Sequence, residues 1–310
     1  MERKILVAVD GSVYSMNEIH YLGRLFGGLD EINFHLVRIV PVSSLPPGSQ
    51  WIDDLDKMSV LSPEARKKFA ASTQYLKDAV SQLTRRGVSA ERITTSVRVS
   101  RVGVADDLVY EARKGMYDAL LVGRRGIGKI GEMVMGSVSS SMLEKCFDTP
   151  LWVVDGQVNS RKFFVPVDGT LHCLRAVDHL SYILQNNPHA EITLFHSEAL
   201  MAHKDTDPPD VFHEQWGKEW CNEHIDHPDT IFHAPEQILL ENGFPAERIT
   251  RLEKKIGVDP ARDIIKLAMK LDEGTIVIGR RGRNDPKGFM GGVSDRVMRS
   301  AEKVAVWLVS

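Results

Sequence analysis

The chain repeats itself, and that repeat constrains its fold more than any other feature. Lys4-Ile-Leu-Val-Ala-Val-Asp10-Gly-Ser12 returns as Lys162-Phe-Phe-Val-Pro-Val-Asp168-Gly-Thr170, and the glycines Gly123, Gly126 and Gly136 return as Gly279, Gly282 and Gly292. The aspartates lie 158 positions apart (10 to 168) and the glycines 156 (123 to 279), so the halves are duplicated units with small insertions or deletions. A period of this length means tandem domains rather than a solenoid of short repeats. At 310 residues there is material for two cores. The expected domains are 1–156 and 161–310. The linker around 155–161 is short and polar, which predicts that the halves pack as a unit.

Within the first half, apolar runs at Lys4–Val9, Glu31–Val42, Arg92–Val99, Tyr117–Val122 and Leu151–Val154 predict strands. Helical spacing covers Ser15–Phe26, Pro63–Arg85, Val104–Arg113 and Ser137–Cys146 between them. The second half predicts strands near Phe163–Val167, Glu191–His196, Arg248–Lys254, Thr275–Ile278 and Val304–Val309. Runs such as ILVAV, ALLV and TIVI do not alternate with polar residues, as expected of parallel strands buried on both faces. The predicted fold class is therefore α/β: two tandem doubly wound, Rossmann-like domains, each an open five-stranded parallel sheet with helices on both faces. Pro41–Ser62 and Ala199–Ala234 read as irregular segments.

The chemistry-bearing stretch is Val122 to Ser139, where an apolar strand runs into Gly123, Gly126 and then Gly136-Ser137 at a helix start. Glycines let a backbone turn and approach a ligand, and a helix N-terminus offers unpaired N–H groups at the positive end of its dipole. Such a frame suits phosphate. It is not a Walker A loop, because no Gly-Lys-Ser/Thr follows the glycines. In the second copy Val293 stands where Ser137 stands in the first, and Pro286 removes one possible N–H donor, so that copy reads as degenerate. Asp10 at the first strand's end could meet a ligand amine or simply cap the following helix. Arg124-Arg125 and Arg280-Arg281 fit a phosphate role, a solvated loop or a subunit contact, and Lys129 is a weaker candidate for phosphate.

These motifs resemble the universal stress protein family: a first strand ending Val-Asp-Gly-Ser, the Gly-x2-Gly-x9-Gly-Ser frame after the fourth strand, and a short apolar fifth strand. The resemblance covers essentially the whole chain as two copies. It implies ATP binding where the motif is complete, in a stress-response regulator. Asp10, Ile39 and Val122 are then implied adenine neighbours, and Gly123, Gly126, Gly136, Ser137, Val138 and Ser139 the ribose and phosphate contacts. A second, weaker site falls on Asp168, Gly279, Gly282 and Gly292. The resemblance also implies pairing through the fifth strands, giving an internal pseudo-dimer and opening the way to a homodimer. The Ser137 hydroxyl could assist a Mg²⁺ that screens the phosphates.

Other classes find little support. A net charge of −3 gives no case for nucleic acid or an anionic membrane surface. Three dispersed cysteines form no disulfide framework, no apolar run spans a bilayer, and a strand pattern begins at once, so a cytoplasmic protein is expected. His203, His213, His224, His227 and His233 gather near Cys221, but Cys221-x2-His224-x2-His227 lacks a fixed fourth ligand, which reads as loop composition rather than zinc. Trp216 and Trp220 read as helix residues covering a core. No general base or nucleophile pair is evident near the glycines, so ATP hydrolysis would be slow at most. The competing expectation is a tandem scaffold with no working nucleotide site.

Overall fold

The structure is a computed structural model that describes residues 2–12, 14–41, 62–125, 135–199, 207–282 and 292–310. Gly126, Lys129, His203 and Pro286 lie outside the described residues, as does most of Pro41–Ser62. The chain divides into two compact units, Met1–Val158 and Asn159–Ser310.

The first unit runs β1 (Arg3–Ala8), α1 (Ser15–Phe26), β2 (Ile32–Val40), α2 (Pro63–Arg85), β3 (Ile93–Val99), α3 (Val104–Lys114), β4 (Ala119–Gly123), α4 (Ser137–Lys145) and β5 (Leu151–Val154). Its strands pair in the order β3-β2-β1-β4-β5, all parallel. The sequence explains each element. Leu6, Val7, Leu120 and Leu121 are wholly buried because helices cover both faces of the central strands. Helix α1 buries Ile19, Leu22, Leu25 and Phe26, an i, i+3, i+4 stripe aimed at the sheet. Helix α2 starts where the Ser62 hydroxyl accepts from Ala65 N–H at 3.2 Å and Pro63 presets the first turn.

The second unit runs β6 (Lys162–Pro166), α5 (Leu171–Leu184), β7 (Glu191–Phe195), β8 (Ser197–Ala199), α6 (Pro209–Trp216), α7 (Lys218–His224) and α8 (Thr230–Glu241). It continues with β9 (Ile249–Arg251), β10 (Lys255–Gly257), α9 (Pro260–Lys270), β11 (Thr275–Gly279), α10 (Val293–Ser300) and β12 (Ala305–Val309). Its main sheet has the order β12-β11-β6-β7-β9, again all parallel. Two expectations need correction here. Ala199–Ala234 is not irregular, since it carries α6, α7 and the start of α8. These helices are too short to sustain a 3.6-residue period, and Gly217 at φ +81° breaks α6 from α7. The expected strand Arg248–Lys254 is also shorter than predicted: β9 covers only Ile249–Arg251, and β10, just beyond the expected range, pairs in parallel with β8 as a separate two-stranded sheet.

No helix among the described residues is long and apolar enough to cross a membrane.

Candidate functional site

In the first unit the chain builds outward from β1 to β2 and β3 on one side, and to β4 and β5 on the other. The direction of winding therefore reverses between β1 and β4, and an open α/β sheet leaves its ligand crevice at the carboxyl ends of those strands. Asp10 follows β1 by two residues and Gly123 ends β4. The two arms of the sequence motif thus meet at the topological switch point.

Register fixes which side chains share a face. Ala8 pairs with Val37 and with Val122, and Ile39 lies two residues beyond Val37, so Ile39 and Val122 stand on one face. They are 8% and 3% exposed, a buried apolar wall. Arg38 falls on the opposite face, where its Nε donates to Ser72 Oγ of α2 at 2.8 Å.

Asp10 does not cap α1. The N-cap there is Tyr14 and makes no side-chain cap bond. Instead Asp10 Oδ1 accepts from Ser12 N–H at 2.9 Å and from the Ser15 hydroxyl, folding an Asx turn. Gly11 holds the turn at φ +74°, and a Cβ there would stand 3.0 Å from Arg38 Nη1. The Asp-Gly pair is thus a turn device that presents a half-buried carboxylate at the strand end, next to an arginine.

The glycine frame has its own framework. Gly136 N–H donates to Arg124 O at 2.8 Å, closing the base of the loop between β4 and α4. The Ser139 hydroxyl donates to Gly123 O at 2.6 Å. Ser139 therefore braces the β4 terminus. Helix α4 begins at Ser137 with Gly136 as N-cap, no side-chain cap and no acidic residue in its first turn. Among the described residues, that first turn carries no carboxylate to complement the amino-terminal dipole end. Of the first arginine pair, Arg124 is 3% exposed, and Arg125 approaches Asp155 at 3.5 Å. Arg280 is likewise buried.

One residue of this site was missed in the sequence. Glu18 of α1 is 2% exposed, and a Cβ on Gly123 would stand 2.2 Å from its Oε1. Gly123 is a glycine because the Glu18 carboxyl occupies the space a side chain would need. Burial pushes the Glu18 pKa well above the carboxylate range, Asp10 pushes it further, and a backbone hydrogen bond from Gly123 opposes both. Its other oxygen, Oε2, is buried with no hydrogen-bond partner among the described residues. The neighbouring Tyr75 hydroxyl of α2 is also buried, near Ser15 but short of good hydrogen-bond geometry, and burial lifts its pKa to about 12. The clue was legible: Ser15, Glu18, Ile19, Leu22, Leu25 and Phe26 form the buried face of α1, so a carboxylate sits on an apolar stripe.

The second unit keeps the outline and alters the chemistry. Asp168 Oδ1 accepts from Thr170 N–H at 3.0 Å and from its hydroxyl at 2.7 Å, and Gly169 repeats the left-handed turn at φ +78°. Asp168 is exposed, however, and the positions of Ser15 and Glu18 are filled by Cys173 and Ala176. A Cβ on Gly279 would stand 2.3 Å from His172 O and 2.8 Å from Cys173 N, so the main chain of α5 itself closes over this glycine. The Leu171 N–H at the start of α5 is taken by Asp207 Oδ2 at 2.8 Å. Helix α10 carries Asp295 in its first turn, at the position of Ser139. Gly282 and Gly292 flank the corresponding loop.

Three of the histidines, His224, His227 and His233, lie together. His224 Nδ1 lies 3.0 Å from His233 Nε2, and the His227 and His233 rings stack with centroids 4.0 Å apart. Trp216 and Trp220 stack at 5.8 Å, but from two separate helices, α6 and α7. Cys221 is buried, and burial pushes its thiol pKa up. No group of three or more His, Cys, Asp or Glu is arranged to hold a metal ion among the described residues.

Comparison with known proteins agrees with this architecture. Two solved structures share the fold along the chain. One is a universal stress protein from Archaeoglobus fulgidus DSM 4304, with TM-score 0.62, 18% identity, and coverage of 99% of this chain and 96% of that one. The other is a functionally unknown protein from Pseudomonas aeruginosa PAO1, with TM-score 0.57, 15% identity, and coverage of 99% and 92%. A universal stress protein from Archaeoglobus fulgidus in complex with dAMP matches 48% of this chain and 94% of its own length, with 19% identity and TM-score 0.34. A search of curated proteins matched none. The family model described as "Universal stress protein family" matches residues 1–155 and again 159–310, and the chain therefore belongs to the universal stress protein family as two tandem copies.

Proposed function

We propose that the protein is a cytoplasmic, ATP-binding stress-response regulator that holds its nucleotide in the first unit. The supporting observation is the contrast between the two crevices. At the first, α4 presents an amino terminus with no acidic residue in its opening turn, braced against the β4 end by Ser139. At the second, the equivalent helix carries Asp295, Asp207 occupies an N–H of α5, and α5 main chain covers Gly279. A carboxylate in a helix's first turn already complements the dipole and repels phosphate.

In this proposal the Ile39 and Val122 wall receives the adenine face, and Asp10 accepts from its exocyclic amine. The N–H groups of Ser137, Val138 and Ser139 donate to phosphate oxygens. The Gly123 amide is engaged with Glu18, so its role is to admit that carboxyl and let the chain turn toward Gly126. When bound, Mg²⁺ would neutralise phosphate charge, with the Ser137 hydroxyl as the nearest protein oxygen on offer. Persistence of a second unit with an altered crevice favours, as the alternative, a scaffold in which nucleotide is dispensable. Titration calorimetry with Mg·ATP separates the two. Binding to the intact chain that is weakened by Asp10→Ala and by Ser139→Asp supports the nucleotide reading, and absence of binding supports the scaffold.

A further inference from the structure

The cluster under the first crevice has features that a passive nucleotide cradle does not need. Glu18 is buried against Gly123, its Oε2 has no hydrogen-bond partner among the described residues, and Asp10 stands beside it. The groups facing it are Asp10 at the end of β1, Ser15 on its own helix, Tyr75 on α2 and the Gly123 amide on β4. Arg38 on β2 faces Asp10 and Tyr75. The duplicated unit supplies an internal control: its helix carries Ala176 at this position, buried at 1% exposure, so the fold does not require a carboxyl there. Burying a carboxyl with one oxygen unsatisfied is costly, so a residue the fold can replace with alanine calls for a role at the site.

We propose that Glu18 gates the first crevice by protonation: the anionic nucleotide is held while the Glu18 carboxyl is neutral and is released when that carboxyl ionises. This rests on the nucleotide reading above. The reason is electrostatic. Glu18 touches the first glycine of the frame, and Ser139 of α4 holds the carbonyl of that glycine, so an ionised Glu18 adds negative charge beneath the phosphate end of the crevice in a poorly solvated setting. The neutral acid removes that repulsion and offers a hydrogen-bond donor from an oxygen that has no partner among the described residues. By linkage, a bound anion favours the protonated form, so nucleotide retains a proton on Glu18 and a rise in pH favours dissociation. Burial and the nearby Asp10 place this change above the ordinary carboxylate range. The second unit, with Ala176, has no such gate.

The test is the Mg·ATP dissociation constant of the full chain from pH 5.5 to 9, compared among wild type, Glu18→Gln and Glu18→Ala. The wild-type constant should rise with pH by up to about tenfold per unit beyond what the variants show, since one linked proton sets that limit. The comparison cancels the titration of ATP itself. Glu18→Ala guards against a fold-specific effect of glutamine, and circular dichroism melts show that both variants are folded. Wild type and both variants sharing one pH profile overturns the gate while leaving the nucleotide site intact. No binding by wild type at any pH overturns the nucleotide reading and the gate with it.

Discussion

Replacing Gly123 and Gly279 each by alanine should expose a difference between the two crevices that the shared motif conceals. At Gly279 the added methyl meets main-chain atoms of α5: His172 O at 2.3 Å, His172 C at 2.4 Å and Cys173 N at 2.8 Å. Main chain in a helix's first turn cannot rotate away, so relief requires moving α5 off β11. Overpacking of this kind costs about 1–3 kcal/mol, and Gly279→Ala belongs at the upper end, about 3 kcal/mol. At Gly123 the nearest obstacle is Glu18 Oε1 at 2.2 Å, the end of a side chain, with Arg125 O next at 3.2 Å. That carboxyl can turn aside, and the cost should be about 1–2 kcal/mol. In a Glu18→Ala background only the 3.2 Å contact remains. The cost of Gly123→Ala should then fall to about zero, because alanine also restricts the unfolded chain. Hydrogen exchange read on the slowest amides of β4 and β11 reports each unit separately. A loss of about 3 kcal/mol accelerates exchange roughly 100-fold, since each 1.4 kcal/mol is a factor of ten. Equal costs at the two glycines, or a Gly123→Ala cost that persists without Glu18, would refute the packing argument.

Other outcomes follow from the same geometry. Ser139→Asp gives the first unit the carboxylate that Asp295 provides in the second. At about 5 Å and an effective dielectric of about 20 the added repulsion is about 3 kcal/mol, so the Mg·ATP constant should rise about 100-fold by calorimetry. Asp295→Ser alone should not create a second site, because the α5 main chain still closes over Gly279. Glu18→Gln should stabilise the first unit at pH 8. A carboxyl whose folded pKa is raised contributes stability below its unfolded value of about 4.3 and loses it as pH rises through the folded value. Wild-type stability should therefore decline with pH relative to the variant, as read by exchange or urea unfolding. Gly11→Ala should destabilise the first unit by about 1–2 kcal/mol, since φ +74° strains an L residue and the methyl crowds Arg38 at 3.0 Å.

Much of the fold was legible because parallel strands buried on both faces read as continuous apolar runs. Leu151–Val154, Ser15–Phe26 and Pro63–Arg85 have the bounds their periodicity and caps indicate. The stretch from Ala199 to Ala234 was opaque, because two helices of eight and seven residues leave no sustained period. The site divides in the same way. Asp10 and Gly123 were visible as motif letters, and topology brings them to neighbouring strand ends. The roles of Arg124 and Arg125 were not visible, because burial and the approach of Asp155 depend on where β5 ends. Glu18 could have been found, since a charge on a buried helical stripe is a pattern anomaly. Gly279 could not: its closure depends on how near α5 lies to β11, and no letter in the sequence records that distance.

The central claim is that one crevice of the two accepts nucleotide, and native mass spectrometry of the full chain in excess Mg·ATP tests it most directly. The account predicts one nucleotide per chain, lost on Ser139→Asp and retained when Gly282 of the second copy is replaced by valine. Two equivalent nucleotides per chain, or none, would contradict it.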